Sequence, residues 1–350
     1  MHFSRLKTAM VGVAAATLIL SGCSSDGGSS SELAGSWDEI VAAATEEGAV
    51  TIYSTHSPDN LEKLKQAFEA EYPGISLTYV RGTDADILPK IEVENSTNSG
   101  VADVHMTTDG GWIDRSLESG YSAEVVAPSL DDPEYNRAES VIDDKFFLTS
   151  ATVFGMGWNS THVPEGMSSP DDVFEPRLRG KVGIQNPNGI PTYIDMYRGL
   201  DEDYGAGFVE RLPETEPRIY PSAVGITQAL ASGEVWVAPM AASNILTEKE
   251  KGAPVDFALP ENPFGVPWYS HVLASAPNPN AAQVLANFLI TPAGQEAISA
   301  DYLSVLPDVP GTGVPGSTVT AQDVELGDPD TLDPESVATD QAAWEKRFMG

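Results

Sequence analysis

Cysteine occurs once in the 350 residues, at Cys23, which rules out a disulfide framework and any two-cysteine redox or zinc site. Basic residues are also scarce. Nineteen Lys and Arg stand against 52 Asp and Glu, a formal charge of -33, so the basic footprint that phosphate backbones need is missing and nucleic acid is disfavoured as a partner. The acidity reads as solubility, such as a salty medium demands, ahead of a cation-attracting role. His2, His56, His105, His162 and His271 have no metal-motif spacing, and neither a metal nor another cofactor is expected. Gly-x-Ser-x-Gly, His-Glu-x-x-His and Gly-x-x-x-x-Gly-Lys-Ser/Thr are all absent. Asp84, Asp86 and Asp109 lack a recognisable catalytic partner set and read as caps or ligand contacts, so no enzyme is expected.

Long apolar runs are missing too, except at the start. His2, Arg5 and Lys7 precede an apolar run from Ala9 to Leu20, too short to span a bilayer as a mature helix and read as a signal-peptide core. Leu20-Ser21-Gly22-Cys23 closes it and resembles the lipobox of bacterial lipoproteins, which implies cleavage before an acylated Cys23. Residues 1–23 are thus read as the signal peptide and 24–35, rich in Ser and Gly, as a flexible tether. The expected place is the cell membrane, lipid-anchored through Cys23 and facing the periplasm or exterior.

From Ala49 to Gly74 a β-rich run, Val50, Ile52 and Tyr53, feeds a helix begun by Ser57-Pro58, with Leu61, Leu64, Phe68 and Tyr72 on one face. Ser36 and Glu39 have capping-box spacing for a helix before it. Strands at 75–80 and 102–106 follow, each leading to a helix, the first of these over 87–95 with a weak spot at Pro89. This β-α-β-α-β-α order implies parallel strands with all strand-to-helix loops at one edge. Two strands are expected at 146–148 and 152–158, the second with glycines that permit close approach. A second lobe then starts with a strand at 181–184, and 260–267 reads as a proline-broken connection. The expected boundaries are 36–150 for the first lobe, 151–267 for the second, 268–306 for a return to the first, and 307–350 for a tail ending in a short helix from Pro334 to Phe348.

The motifs Val-Thr-Ile-Tyr-Ser (50–54), Ala-Asp-Val (102–104), Gly-Met-Gly-Trp-Asn (155–159), Leu-Arg-Gly-Lys-Val-Gly (178–183) and Ala-Leu-Ala-Ser-Gly-Glu-Val (229–235) appear in order. Over roughly 48–302 the chain resembles extracellular solute-binding proteins of ABC importers, of the ferric-iron, phosphonate and polyamine type. The resemblance implies an α/β, two-lobed periplasmic-binding-protein fold of type II with a ligand cleft at a two-segment hinge. It also implies a monomer that delivers a small-molecule solute to an ABC permease by closing around it. Where iron-binding members carry a Tyr pair, this chain aligns Ala242 and Ser243; their His and carboxylate fall on Ser57 and Thr108, with His56 and Asp109 one residue away.

Thr55, His56, Ser57, Thr83, Thr108 and Asp109 are expected on one wall of the cleft, and Asn186, Asn188 and Asn244 on the other, because all follow the carboxyl ends of strands. Trp268 and Tyr269, beside the proline-rich connection, are further candidates. Helix N-termini after Thr55, Gly82 and Asn188 suit a phosphonate, phosphate ester or carboxylate. Ferric iron or a polyamine is the alternative ligand within the same family, and a surface sensor or hydrolase on this scaffold is the alternative of another class.

Overall fold

A computed structural model describes residues 33–350 apart from 98, 168, 189, 262 and 328–333. The signal segment, Cys23 and most of the expected tether lie outside the described residues. Among those described, no helix is long and apolar enough to cross a membrane.

The chain opens with α1 (Trp37–Glu47), begun by the capping box: Ser36 Oγ accepts from the Glu39 N–H, and the Glu39 carboxylate takes the Ser36 N–H at 2.9 Å. Then come β1 (Ala49–Ser54), α2 (Pro58–Glu71), β2 (Ser76–Arg81), α3 (Asp84–Thr97), β3 (Val104–Thr107) and α4 (Gly110–Ser119). β1 lies between β2 and β3 and is parallel to both. Ser57 caps α2 with Pro58 at its first position, as the sequence suggests, and Leu61, Leu64 and Phe68 are fully buried. α3 is longer than expected and runs unbroken through Pro89, which lies near its start.

After α5 (Arg137–Ser140) and β4 (Val141–Ile142), the two strands expected at 146–158 are one continuous strand, β5 (Phe146–Asn159). Its first half joins the β2-β1-β3 sheet through β10 (Phe264–Val272), and its second half pairs with the strands of the other lobe. The apparent gap between the two runs is a bulge. β10 pairs Ser150 with Trp268 and Leu148 with Tyr269, so Thr149 is left over and its hydroxyl donates to the Trp268 carbonyl at 2.9 Å. β10 also begins earlier than the proline pattern suggests and carries Pro267 within it.

The second lobe contains β6 (Gly183–Gln185), α6 (Pro191–Asp203), α7 (Phe208–Arg211), β7 (Arg218–Tyr220), α8 (Ala223–Ser232), β8 (Val237–Ala241), α9 (Ala242–Glu250) and β9 (Val255–Ala258). β8 and β9 flank β5 antiparallel, and β6 pairs with β7 and bridges to β8 at Val182 and Val237. Gly155 allows the close approach expected there, since a Cβ on it would collide with the Ala258 carbonyl.

β10 returns the chain to the first lobe, where α10 (Pro279–Leu289) and α11 (Pro292–Ile298) cover the sheet. Asp103, of the Ala-Asp-Val motif, is spent on structure: its carboxylate accepts from the Thr51 and Asn278 N–H groups at 2.7 Å each and so joins β1 to the start of α10. The last elements are β11 (Glu325–Leu326), which pairs with β10 beside the crossing, and α12 (Pro334–Phe348), which packs on α6.

Candidate ligand cleft

The parallel strands place their carboxyl ends together, so the loops 55–57, 82–83 and 108–109 form one wall. They line a cavity of about 680 Å³, within the range of small-molecule sites. Its first wall carries Thr55, Thr83, Thr108 and Asp109 from the expected set, together with Arg81, Asp84 and Arg115. Its opposite wall carries Ile190 and Thr192 at the start of α6.

Three helices begin at this cavity. Asp109 caps α4 by accepting from the Trp112 N–H at 2.8 Å, and Asp86 closes the start of α3 by accepting from the Thr83 hydroxyl at 2.6 Å. α6 begins at Pro191, which has no N–H, with no side-chain cap, and its Tyr193 N–H turns back to the Ile190 carbonyl at 3.0 Å. Of the three aspartates read as caps or ligand contacts, Asp109 and Asp86 close helix starts; Asp84 lines the cavity and accepts from the Thr107 hydroxyl at 3.0 Å. Burial pushes the Asp84 carboxyl up to about 6, the Thr107 hydrogen bond opposes this and the Asp109 carboxylate adds to it. Arg115 lies 3.9 Å from Glu92, which lines the same cavity.

A second cavity of about 360 Å³ lies on the far side of loop 55–57, lined by Ser57 and Tyr302 of the first lobe and by Ser243 and Asn244 of the second. Here the lobes touch directly. Thr247 donates to Asp301 at 3.0 Å, and the Tyr302 hydroxyl is hydrogen-bonded to Ser243.

His56 lies buried beside both cavities, its ring 4.2 Å from that of Tyr302 and 4.6 Å from that of Trp268. Burial holds its imidazole down at about 3, so it is neutral, and among the described residues Nε2 has no hydrogen-bond partner. Trp268 and Tyr269 do not line either cavity: both are buried in β10, with the Trp268 indole donating to Thr152. Asn186 and Asn188 follow β6 as expected but are held by the C-terminal helix, Asn188 by Gln341 and Glu345. Sequence reasoning missed Arg81, Arg115, Ile190, Thr192 and Tyr302. Arg81 ends a strand next to the glycine already flagged, a signal that was there to be used; the other four are placed by packing alone.

Among the described residues no three His, Cys, Asp or Glu side chains converge as a metal site would require. Ala242 and Ser243, the positions aligned with the Tyr pair, open α9. Burial raises the Tyr302 phenol, which is hydrogen-bonded to Ser243.

Residues 50–302 match the family described as bacterial extracellular solute-binding protein. Among curated proteins none matches. Solved structures share the fold: iron-bound HitA from Pseudomonas aeruginosa aligns with 18% identity and a TM-score of 0.65, over 86% of this chain and 99% of that one. AfuA from Actinobacillus pleuropneumoniae, bound to fructose-6-phosphate, aligns with 18% identity and a TM-score of 0.64 over the same shares. The substrate-binding protein of an ABC transporter from Agrobacterium tumefaciens has 13% identity and a TM-score of 0.70, over 86% and 94%.

Proposed function

The chain belongs to the bacterial extracellular solute-binding proteins, and from that premise we propose that it captures a small organic anion, such as a phosphonate or phosphate ester, and hands it to an ABC permease. The observation that carries this reading is the larger cavity, where the N-termini of α3, α4 and α6 meet beside Arg81 and Arg115. Helix N-termini offer the positive end of the helix dipole and those first-turn N–H groups that a cap leaves over, and a guanidinium adds paired donors. The fold holds a phosphate ester in the Actinobacillus protein, but for this chain the reading rests on its own helix termini.

Ile190 and Thr192 lie across the cavity from the other lining residues. An anion touching both walls stabilises the closed arrangement by its differential affinity for it, which is binding and release without chemistry. One further observation favours a second ligand: Asp84, Asp109 and Glu92 share the cavity with the arginines and suit a polyamine. Ferric iron is the least supported, since Ala242 and Ser243 stand where iron-binding members carry a Tyr pair.

A thermal-shift panel of phosphonates, phosphate esters, carboxylates, spermidine and ferric citrate tests the reading. A ligand present at a hundred times its dissociation constant adds about 2.7 kcal/mol. A shift with spermidine and none with any anion overturns it. Acylation of Cys23 would hold the monomer at the membrane beside the permease, and a Cys23→Ser chain that stayed equally membrane-bound on fractionation would remove that part.

A further inference from the structure

Residues 303–350 lie beyond the matched family region, yet their last helix is built into the second lobe. Trp344 of α12 is buried in that lobe's core, its ring 5.9 Å from Tyr197 of α6 and 4.7 Å from Phe348. One end of α12 grips the middle of α6, where Arg198 reaches Asp340 and Ser336, the latter at 2.7 Å. Its other end grips the loop before α6: Gln341 donates to the Asn188 side-chain oxygen, and Asn188 Nδ2 donates to Glu345 at 3.4 Å. Asn186 lies 3.9 Å from the Met349 sulfur.

The loop so held leads directly to Ile190 and Thr192, the residues through which the second lobe lines the larger cavity. Its backbone is tied by the Asn186 N–H to the Tyr220 carbonyl at 2.8 Å and by the Ile190 N–H to the Pro187 carbonyl at 2.9 Å. α6 lacks a side-chain cap, and within the loop the Asn188 N–H donates to Asn186 Oδ1 at 2.9 Å. The first-lobe loops differ, because Asp86 and Asp109 close their helix starts from within. The start of α6 has no side chain of its own to hold it. Its orientation then has to come from elsewhere.

We propose that Gln341 and Glu345 of α12 are positioning residues for the cleft: by holding Asn188 they fix the uncapped first turn of α6 where a bound solute meets the second lobe. The identity of that solute rests on the anion reading above; the positioning does not.

The test uses the full chain, a Gln341→Ala/Glu345→Ala variant, and a Gln341→Ala/Glu345→Gln variant that keeps one amide for Asn188. Hydrogen exchange is followed over residues 186–194, and glycerol 3-phosphate is titrated by calorimetry. The double alanine variant should exchange about tenfold faster in that stretch, with the melting temperature and the exchange of loops 82–86 and 108–112 unchanged. The glutamine variant should recover part of the protection. Affinity for glycerol 3-phosphate should fall about three- to tenfold in the alanine variant. Unchanged exchange over 186–194, or acceleration spread evenly over the lobe, overturns the inference. Absence of glycerol 3-phosphate binding in all three chains counts against the anion reading, and the exchange result then judges the positioning on its own.

Discussion

The two walls of the cleft are made to the same plan and held by different means. In the first lobe, three parallel strands end side by side over a continuous core, and the aspartates at the starts of α3 and α4 cap them from within four residues. In the second, the short β6 carries a loop and an uncapped helix braced by residues about 150 positions away. The lobes also bury histidine differently. His105 and His271 pair at 3.0 Å in the first-lobe sheet, whereas His162 of the second is exposed and stacks on Trp236 at 4.7 Å. A wall capped locally withstands changes elsewhere in the chain; a wall braced from a distance depends on its brace.

The strongest way to break this comparison is Trp344→Ala, which empties the buried anchor of α12. Loss of a buried aromatic costs about 3–5 kcal/mol, so urea unfolding should show the second lobe loosening while exchange protection in β1 and β3 persists. Equal loss in both lobes would contradict the difference drawn between them.

Acid should find the first lobe instead. The Trp112 indole can only donate, and it reaches His271 Nε2 at 3.5 Å, so that nitrogen accepts and His105 Nδ1 carries the proton between the rings. His271 Nδ1 then donates to Ser122, 2.9 Å away. Both rings are neutral in this chain of bonds. Burial holds His105 down at about 3 and drives His271 well below its ordinary value, with His105 adding to that effect. The unfolded state therefore binds more protons than the folded one. Stability is fully present above about pH 6.5 and is lost as pH falls from there toward 3. Denaturation midpoints measured between pH 7 and pH 4 should fall, and His105→Leu should flatten the slope.

Smaller effects belong to the cavity itself. Arg81→Ala should weaken anion binding about tenfold, or 1.4 kcal/mol, by calorimetry. Asp84, with its carboxyl near 6, repels an anion once ionised. Affinity should therefore rise about threefold as pH falls through 6, and Asp84→Asn should abolish the dependence. An unchanged pH profile in Asp84→Asn would show that the carboxylate does not sense the ligand.

Much of the architecture was legible in the chain because it is local. Ser36 with Glu39 and Ser57 with Pro58 mark helix starts through bonds spanning a few residues, and both signals hold. Alternating strands and helices imply converging loops, and Thr55, Thr83, Thr108 and Asp109 do converge on the larger cavity. Trp268 and Tyr269 looked like cleft residues because prolines precede them. The sheet extends past those prolines and buries both.

By itself the sequence determined the order of elements, their caps, the acidic balance and the family, since each depends on residue type and spacing of a few positions. Tertiary structure alone decided that 146–159 is one strand, because pairing with β10 on one side and β8 on the other bridges a bulge that reads as a break. It alone brought His105 to His271, Tyr302 to Ser243 and Gln341 to Asn188. Contacts across such separations follow from sheet register and helix packing, which are fixed only when the whole core closes, and no short window of sequence contains them.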